Sequence, residues 1–164
     1  MSRSHKVLRK CRNAWGLPLR EKIWLVLLYP YSGIIQASLH LFPFKFFSKA
    51  LGVHYQNHTL STVVSEEQRL LAWRIGRIIE LATRATPWNA KCLVQATMAR
   101  SLLGYYHIPY VLHIGARIVP EEPIQMKAHA WVKVGPWVIV GGGGLQAFAI
   151  VSTFIPASLL NQHE

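Results

Sequence analysis

The chain has 164 residues, of which 51% are hydrophobic and 15% charged, and 18 Lys and Arg against 7 acidic residues give a formal net charge of +11. Every acidic residue is Glu, which excludes the aspartic-protease dyad, Asp-rich calcium loops and a literal Ser/His/Asp triad. The length and the apolar content predict one compact domain with a real core, with room for an appended segment, rather than a disordered chain.

The two cysteines stand in different surroundings, Cys11 in a basic arm and Cys92 in an apolar helical pattern. They do not form a disulfide framework, and no convincing secretion signal precedes them. The pattern predicts a cytoplasmic protein, because lone thiols in the reducing cytosol are kept for packing or for reactivity.

The first part of the chain combines a basic arm with an apolar run. Seven of the cations precede residue 23, and residues 23–44 then carry no charge. Pro30, Gly33 and Pro43 interrupt this run, so three alternatives stand: a buried helical layer, an interfacial segment on a membrane surface, or a true span or uncleaved signal. The interfacial alternative would place the protein peripherally at the inner face of the cell membrane. Aromatic residues and Lys over 42–49 suit such a surface and equally suit an amphipathic helix.

Two helices are predicted in the middle of the chain. Residues 66–84 begin with two Glu, end with Arg84 and place apolar side chains on one stripe, which complements the helix dipole. A second helix is predicted from about residue 90 to 103, with Gly104 as its stop. Cys92 then lies in its first turn.

After Tyr106 the pattern becomes β-like, with alternating and β-branched residues separated by Pro and Gly turns. The expected strands are 109–119, 129–134, 137–140 and 148–154, joined as an antiparallel meander. The fold class is therefore α+β, with helices packed on an antiparallel sheet. The predicted organisation is a basic arm and apolar helical segment over 1–60, followed by a core over 61–164.

Cys92 is the candidate nucleophile. A thiol in the first turn of a helix faces unpaired backbone N–H groups and the positive end of the dipole, which favour the thiolate. The neighbouring Lys91 would add to this effect. The alternative is a core thiol, because Cys92, Ala96, Ala99 and Leu103 lie along one helix stripe.

His129, at the start of a strand, is the candidate general base. A strand His facing a helix N-terminus that bears a Cys could accept the thiol proton and later protonate a leaving amine. A structural His beside Ala128, Ala130 and Trp131 is the alternative. The other histidines do not group into a metal site, and the glycine run 141–144 lacks the Lys-Ser/Thr of a phosphate loop, so neither a metal nor a cofactor is predicted.

The stretch PWNAKCLVQATMARSLLGYYHIPYVLHIGARI, then AHAWVKVGPWVIVGG and a short strand ending in VSTF, resembles the transglutaminase-like cysteine peptidases that remove the leader from lasso-peptide precursors. The resemblance covers about residues 65–155. It implies a papain/transglutaminase-like fold in which a Cys-bearing helix packs on an antiparallel sheet. It also implies that Cys92 of the CL motif is the nucleophile and His129 of AHAW is the base.

One departure from the family pattern concerns the third catalytic group. Well-known members place an acidic residue on the strand after AHAW, where this chain has residues 138–142 without a polar side chain. Gln146, Asn89 or a backbone carbonyl could orient His129 instead. A Cys/His dyad and a catalytically silent protein are the remaining alternatives.

The resemblance further implies partners. The substrate would be a precursor peptide, cut after a Thr-containing leader end, and the freed core would pass to an ATP-dependent macrolactam synthetase. Because the chain has no leader-reading module, a separate leader-binding protein is expected. The rival hypothesis is a silent, membrane-associated scaffold of the same fold. Nucleic acid is not an expected partner, since no binding motif accompanies the high pI.

Overall fold

The computed structural model describes residues 16–43, 45, 48, 51–55, 60–88, 92–119 and 125–162. Three α-helices and five β-strands form within these ranges, together with two short 3-10 helices at Leu145–Ala147 and Ala157–Gln162. The helices are α1 (Leu19–Leu41), α2 (Glu66–Ala85) and α3 (Cys92–Tyr105), and the strands are β1 (Val53–Tyr55), β2 (Val111–Val119), β3 (Gln125–Val134), β4 (Trp137–Val140) and β5 (Ala149–Ile155).

The strands form one antiparallel sheet in the order β1-β5-β2-β3-β4. The predicted α+β class is confirmed, and β2, β3 and β4 form the expected meander. The expectation that β5 continues the meander is wrong, because β5 returns to lie between β1 and β2. Strand β1 has only three residues, too few to show the alternation by which a strand is identified from sequence.

Helix α2 confirms the prediction for residues 66–84 and extends it by Ala85. It begins with a capping box, in which the Ser65 hydroxyl accepts from the Gln68 N–H and the Gln68 side chain accepts from the Ser65 N–H. The stripe that contains Ile75, Ile78 and Ala82 is buried. This burial fixes which side of α2 faces the common hydrophobic core.

Helix α3 corrects the prediction that Gly104 ends it. The helix continues to Tyr105, and His107, with a φ of 53°, takes the left-handed position after it. The His107 N–H donates to the Gly104 carbonyl and the Ile108 N–H to the Leu103 carbonyl, which is a Schellman motif. Leu103 and Ile108 are both buried, so packing of this apolar pair sets the helix end. The expected start at residue 90 lies outside the described residues.

Helix α1 is one continuous helix, although Pro30 and Gly33 were expected to interrupt it. Pro30 lies on the exposed side, where water can satisfy the carbonyl that loses its N–H partner. Trp24, Leu28 and Ile35 on the opposite side join the common hydrophobic core, which confirms a buried packing face. In the described ranges, no helix is long and apolar enough to cross a membrane, which does not agree with the alternative of a true membrane span over residues 23–44.

Polar contacts hold α1 to the segments around α3. The Trp24 indole N–H donates to the Tyr106 hydroxyl at 3.1 Å, and the Trp88 indole N–H donates to the Ser32 hydroxyl at 3.2 Å. Ser32 is fully buried and Trp88 is half-buried, so this bond lies at the edge of the core. Helix α1 is therefore tied to the segment that leads into α3. The domain boundary at residue 60 stays a prediction.

Gly76 sets the distance between α2 and β4. A Cβ atom at this position would lie 2.6 Å from the Ile139 carbonyl oxygen, so Gly76→Ala forces the helix away from the strand. We expect the free energy of unfolding to fall by about 2 kcal/mol or more, measured by urea denaturation. Gly104→Ala is the matched control, because a Cβ there meets nothing within 4 Å. It should stabilise the protein by up to about 1 kcal/mol, and equal effects of the two changes would contradict this packing.

Candidate active site

Cys92 and His129, which the sequence places 37 positions apart, line one cleft of about 740 Å³. The cleft lies where α2 and the start of α3 meet β3, the end of β4 and the glycine run after it. Its walls are formed by Trp73, Gly76, Arg77, Glu80, Cys92, Gln95, Ala128, His129, Ile139, Val140, Gly141, Gly142 and Gly143. The fold thus brings both predicted site residues to the same solvent-accessible space.

The Cys92 thiol stands between core and cleft. It is free and half-buried in the first turn of α3, while Ala96, Ala99 and Leu103 further along its stripe are fully buried. The later residues of this stripe pack in the core, whereas Cys92, at its start, lines the cleft. Lys91 and Cys11 lie outside the described residues.

His129 lies on β3, where it pairs in register with Gly115 of β2. Its imidazole is half-buried and contacts two aromatic rings, with centroids 6.1 Å from Trp131 and 5.1 Å from Phe148. Trp131 is only 4% exposed, so one of the two ring neighbours belongs to the rigid core. These contacts restrict rotation of the imidazole and hold it at the cleft.

The third group beside His129 is a backbone carbonyl. His129 Nε2 lies 2.8 Å from the Gly141 oxygen. A carbonyl oxygen can only accept, so Nε2 carries the proton and donates it. In the neutral ring the lone pair then resides on Nδ1, which is the nitrogen left to act as a base. Of the alternatives for the missing acidic residue, this contact selects the backbone carbonyl.

Gly141 is the residue that can place a carbonyl there. Its φ of +77° is in the left-handed region, and a Cβ would lie 2.3 Å from the Ala130 oxygen and 2.9 Å from the Trp131 Cα. A side chain at this position would be strained and would also collide with β3. Of the other predicted orienting residues, Gln146 is exposed on a 3-10 helix and Asn89 lies outside the described residues.

The glycine of the LHIG strand has a specific packing role. A Cβ on Gly115 would lie 2.9 Å from the Trp131 ring, so the absence of a side chain makes room for the Trp of AHAW. That ring in turn contacts the imidazole of His129. The two sequence motifs that carried the resemblance therefore meet in space as one packing unit.

Four cleft residues of α2 were not predicted from the sequence: Gly76 at the contact with β4, and the side chains of Trp73, Arg77 and Glu80. The three side chains form a group. They lie on one exposed helix stripe, opposite to the stripe that enters the core. Glu80 forms an ion pair with Arg84. The spacing of 73, 77 and 80 was visible in the sequence, but an exposed helix stripe gives no signal of what it faces.

In the ranges that the structure describes, no group of three or more His, Cys and Glu side chains is arranged to hold a metal ion.

An α+β fold with a Cys at the start of a helix and a His on the facing sheet defines a protein of the papain/transglutaminase-like class. The chain belongs to the Transglutaminase-like superfamily, which matches residues 38–153, more than two thirds of its length. This superfamily includes cysteine peptidases. Searches of curated proteins and of solved structures gave no match.

The tautomer of His129 can be measured directly. In ¹⁵N-labelled protein we expect the neutral His129 ring to carry its proton on Nε2, as reported by the imidazole nitrogen shifts. Gly141→Ala should remove this preference and lower the free energy of unfolding by about 2 kcal/mol or more, because the left-handed strain adds to the collision with β3.

Gly143→Ala is the matched control for Gly141→Ala, because a Cβ on Gly143 meets nothing within 4 Å. It should leave both the tautomer and the stability near wild type. A neutral wild-type ring with its proton on Nδ1 would contradict the assigned hydrogen bond.

Proposed function

We propose that the protein is a cysteine peptidase that removes the leader from a lasso-peptide precursor. The observation that carries the proposal is the shared cleft, in which Cys92 begins a helix and His129 is held by the Gly141 carbonyl. Membership of a superfamily that includes cysteine peptidases supports the reaction class. The lasso-peptide specificity is supported by the CL, LHIG and AHAW motifs.

In the first half-reaction His129 Nδ1 accepts the proton of the Cys92 thiol, and the thiolate sulfur attacks the carbonyl carbon at the leader–core junction. The C–N bond then breaks, and the His129 imidazolium returns the proton to the departing core amine. The leader remains attached to Cys92 as a thioester. The oxyanion of the tetrahedral intermediate would be held by the Cys92 backbone N–H and a second donor.

In the second half-reaction water attacks the thioester carbon while His129 Nδ1 accepts a water proton. The C–S bond breaks, His129 returns its proton to the Cys92 sulfur, and the leader leaves as a carboxylic acid that releases the second water proton to solvent. The balance is one water consumed for each peptide bond cut. No other reactant is needed.

A carbonyl in place of a carboxylate preserves one function of the third catalytic group and weakens another. Because it only accepts, it holds the proton on Nε2 and keeps Nδ1 basic, which is the orienting function. As a dipole rather than an anion, it stabilises the imidazolium less than a carboxylate would. We therefore propose an active enzyme with a modest rate, rather than a silent scaffold of the same fold.

The proposal includes partners that the sequence implies. A separate leader-binding protein would deliver the precursor, and an ATP-dependent macrolactam synthetase would take the freed core in the cytoplasm. The net charge of +11 would attract an acidic leader, so the cleavage rate should fall as salt is raised.

Reactivity of the thiol tests the Cys/His pair without any substrate. Iodoacetamide at neutral pH should alkylate Cys92 faster than Cys11. The two rates are measured by peptide mass mapping, and Cys11 serves as the control within the same molecule. His129→Ala should remove most of the difference, because the proton acceptor is lost. Equal alkylation of both cysteines in the wild type would contradict an activated Cys92.

Cleavage of a precursor tests the reaction itself. In a mixture with the precursor peptide and its leader-binding protein, Cys92→Ala should abolish cleavage and His129→Ala should lower the cleavage rate by about 10²–10⁴-fold. Mass spectrometry measures the conversion of the precursor. Cys11→Ala, which removes a thiol outside the cleft motifs, should keep wild-type activity. Cleavage by Cys92→Ala at the wild-type rate would show that the thiol mechanism is wrong.

A further inference from the structure

Helix α1 has a second apolar face that is largely exposed in the described part of the protein. At 3.6 residues per turn, one stripe along the helix collects apolar side chains opposite to Trp24, Leu28 and Ile35. Its members include Leu19, Ile23, Val26, Leu27, Ile34 and Leu41. Val26 is 70% exposed and Leu19 and Leu41 are each 75% exposed, so the stripe is open over the whole helix.

An open stripe of this size is unusual for a surface helix. Globular proteins place charged and polar residues on the outer face of a helix, and contiguous exposed apolar patches above a few hundred Å² mark binding surfaces. The inner face of α1 already supplies its packing, so the outer stripe is not required to hold the helix in place. Residues 19–37, which carry five of the six stripe residues, precede the part of the chain that matches the superfamily.

The charges around this stripe are of one sign. Lys22 and Arg20 flank it on its two sides at the first turn, where Arg20 also donates to the Tyr106 hydroxyl and lies over the Trp24 and Tyr106 rings. Lys45 is exposed just beyond its end. Residues 1–65 contain one acidic residue, Glu21, which lies on the opposite face and is 6% exposed. Five further cations precede residue 13 in the sequence. An apolar stripe with cations at its margins complements a surface that is apolar inside and anionic outside.

We infer that the outer stripe of α1 (Leu19, Ile23, Val26, Leu27, Ile34 and Leu41) binds the surface of an anionic lipid bilayer, with the helix lying in the plane of the membrane. The helix is about 35 Å long, and the stripe runs along all of it. The in-plane orientation follows because Trp24, Leu28 and Ile35 remain packed on the protein, so only one side of α1 is available to lipid. The Lys and Arg side chains at the margins then lie at the depth of the lipid phosphates.

The hydrogen bond between Ser32 and Trp88 links the helix that carries this stripe to the segment that precedes Cys92. Because Trp88 precedes the helix that begins with Cys92, a membrane-bound α1 would hold the cleft at a set distance from the bilayer. The inference requires no catalytic residue. It is therefore independent of the proposed peptidase activity.

Vesicle co-sedimentation of the full chain tests the inference. Vesicles of phosphatidylcholine alone are compared with vesicles that contain about one third phosphatidylglycerol. Wild type should sediment with the anionic vesicles, much less with the neutral ones, and less as salt is raised. The pair Val26→Gln and Ile34→Gln keeps the charge and should weaken partitioning about tenfold or more.

The matched control is the pair Ile118→Gln and Val151→Gln, the same residue types on exposed strand positions. It should partition like wild type, and both pairs should keep the wild-type thermal midpoint. If the first pair melts early, Leu19→Gln at the helix start tests the same stripe. The inference is overturned if the wild type sediments with neither type of vesicle. It is also overturned if the variant with Val26→Gln and Ile34→Gln binds as well as the wild type, because the basic residues alone would then account for binding. If the wild type is a dimer that does not bind vesicles, and Val26→Gln with Ile34→Gln makes it monomeric, the stripe is a contact between two copies of the chain and the inference is wrong.

Discussion

The hydrogen bond between His129 and the Gly141 carbonyl is the interaction around which the cleft is organised. It fixes the proton on Nε2, leaves Nδ1 basic and stops the imidazole from rotating away from the cleft. The bond depends on the left-handed backbone of Gly141, which presses against β3 where no side chain would fit. On the other side of β3, Gly115 has no side chain and so leaves space for the Trp131 ring. Two glycines therefore set the position of one histidine.

The helical layer completes the same arrangement from the opposite side. Gly76 lets α2 approach β4 closely, so that Trp73, Arg77 and Glu80 reach the wall of the cleft. The later turns of α3 are buried, which holds its first residue, Cys92, at the opening. Helix α1 supports this layer through Trp24 and Ser32, and it does so with only one of its two apolar faces. The catalytic proposal and the membrane inference therefore concern different faces of one helical layer.

Much of the fold was predictable from local patterns. The capping residues and the apolar stripe of α2 located that helix to within one residue, and alternation located β2, β4 and β5 closely. The order of the strands was not predictable in full, because the placement of β5 beside β2 depends on long-range pairing that no local signal encodes. The end of α3 was misplaced at Gly104 for a related reason: burial of Leu103 and Ile108 outweighed the usual preference for glycine.

The sequence by itself determined the α+β class and two of the cleft residues, since Cys92 and His129 stand in recognisable motifs. It also showed that no acidic side chain stands on the strand directly after AHAW. Only the tertiary structure decided what takes that place, because a backbone carbonyl is present at every residue and acquires a function through its position alone. The same holds for α1, whose composition is apolar all round. Packing, and not composition, decided which face entered the core and which remained open, because the core has room for one side of a helix.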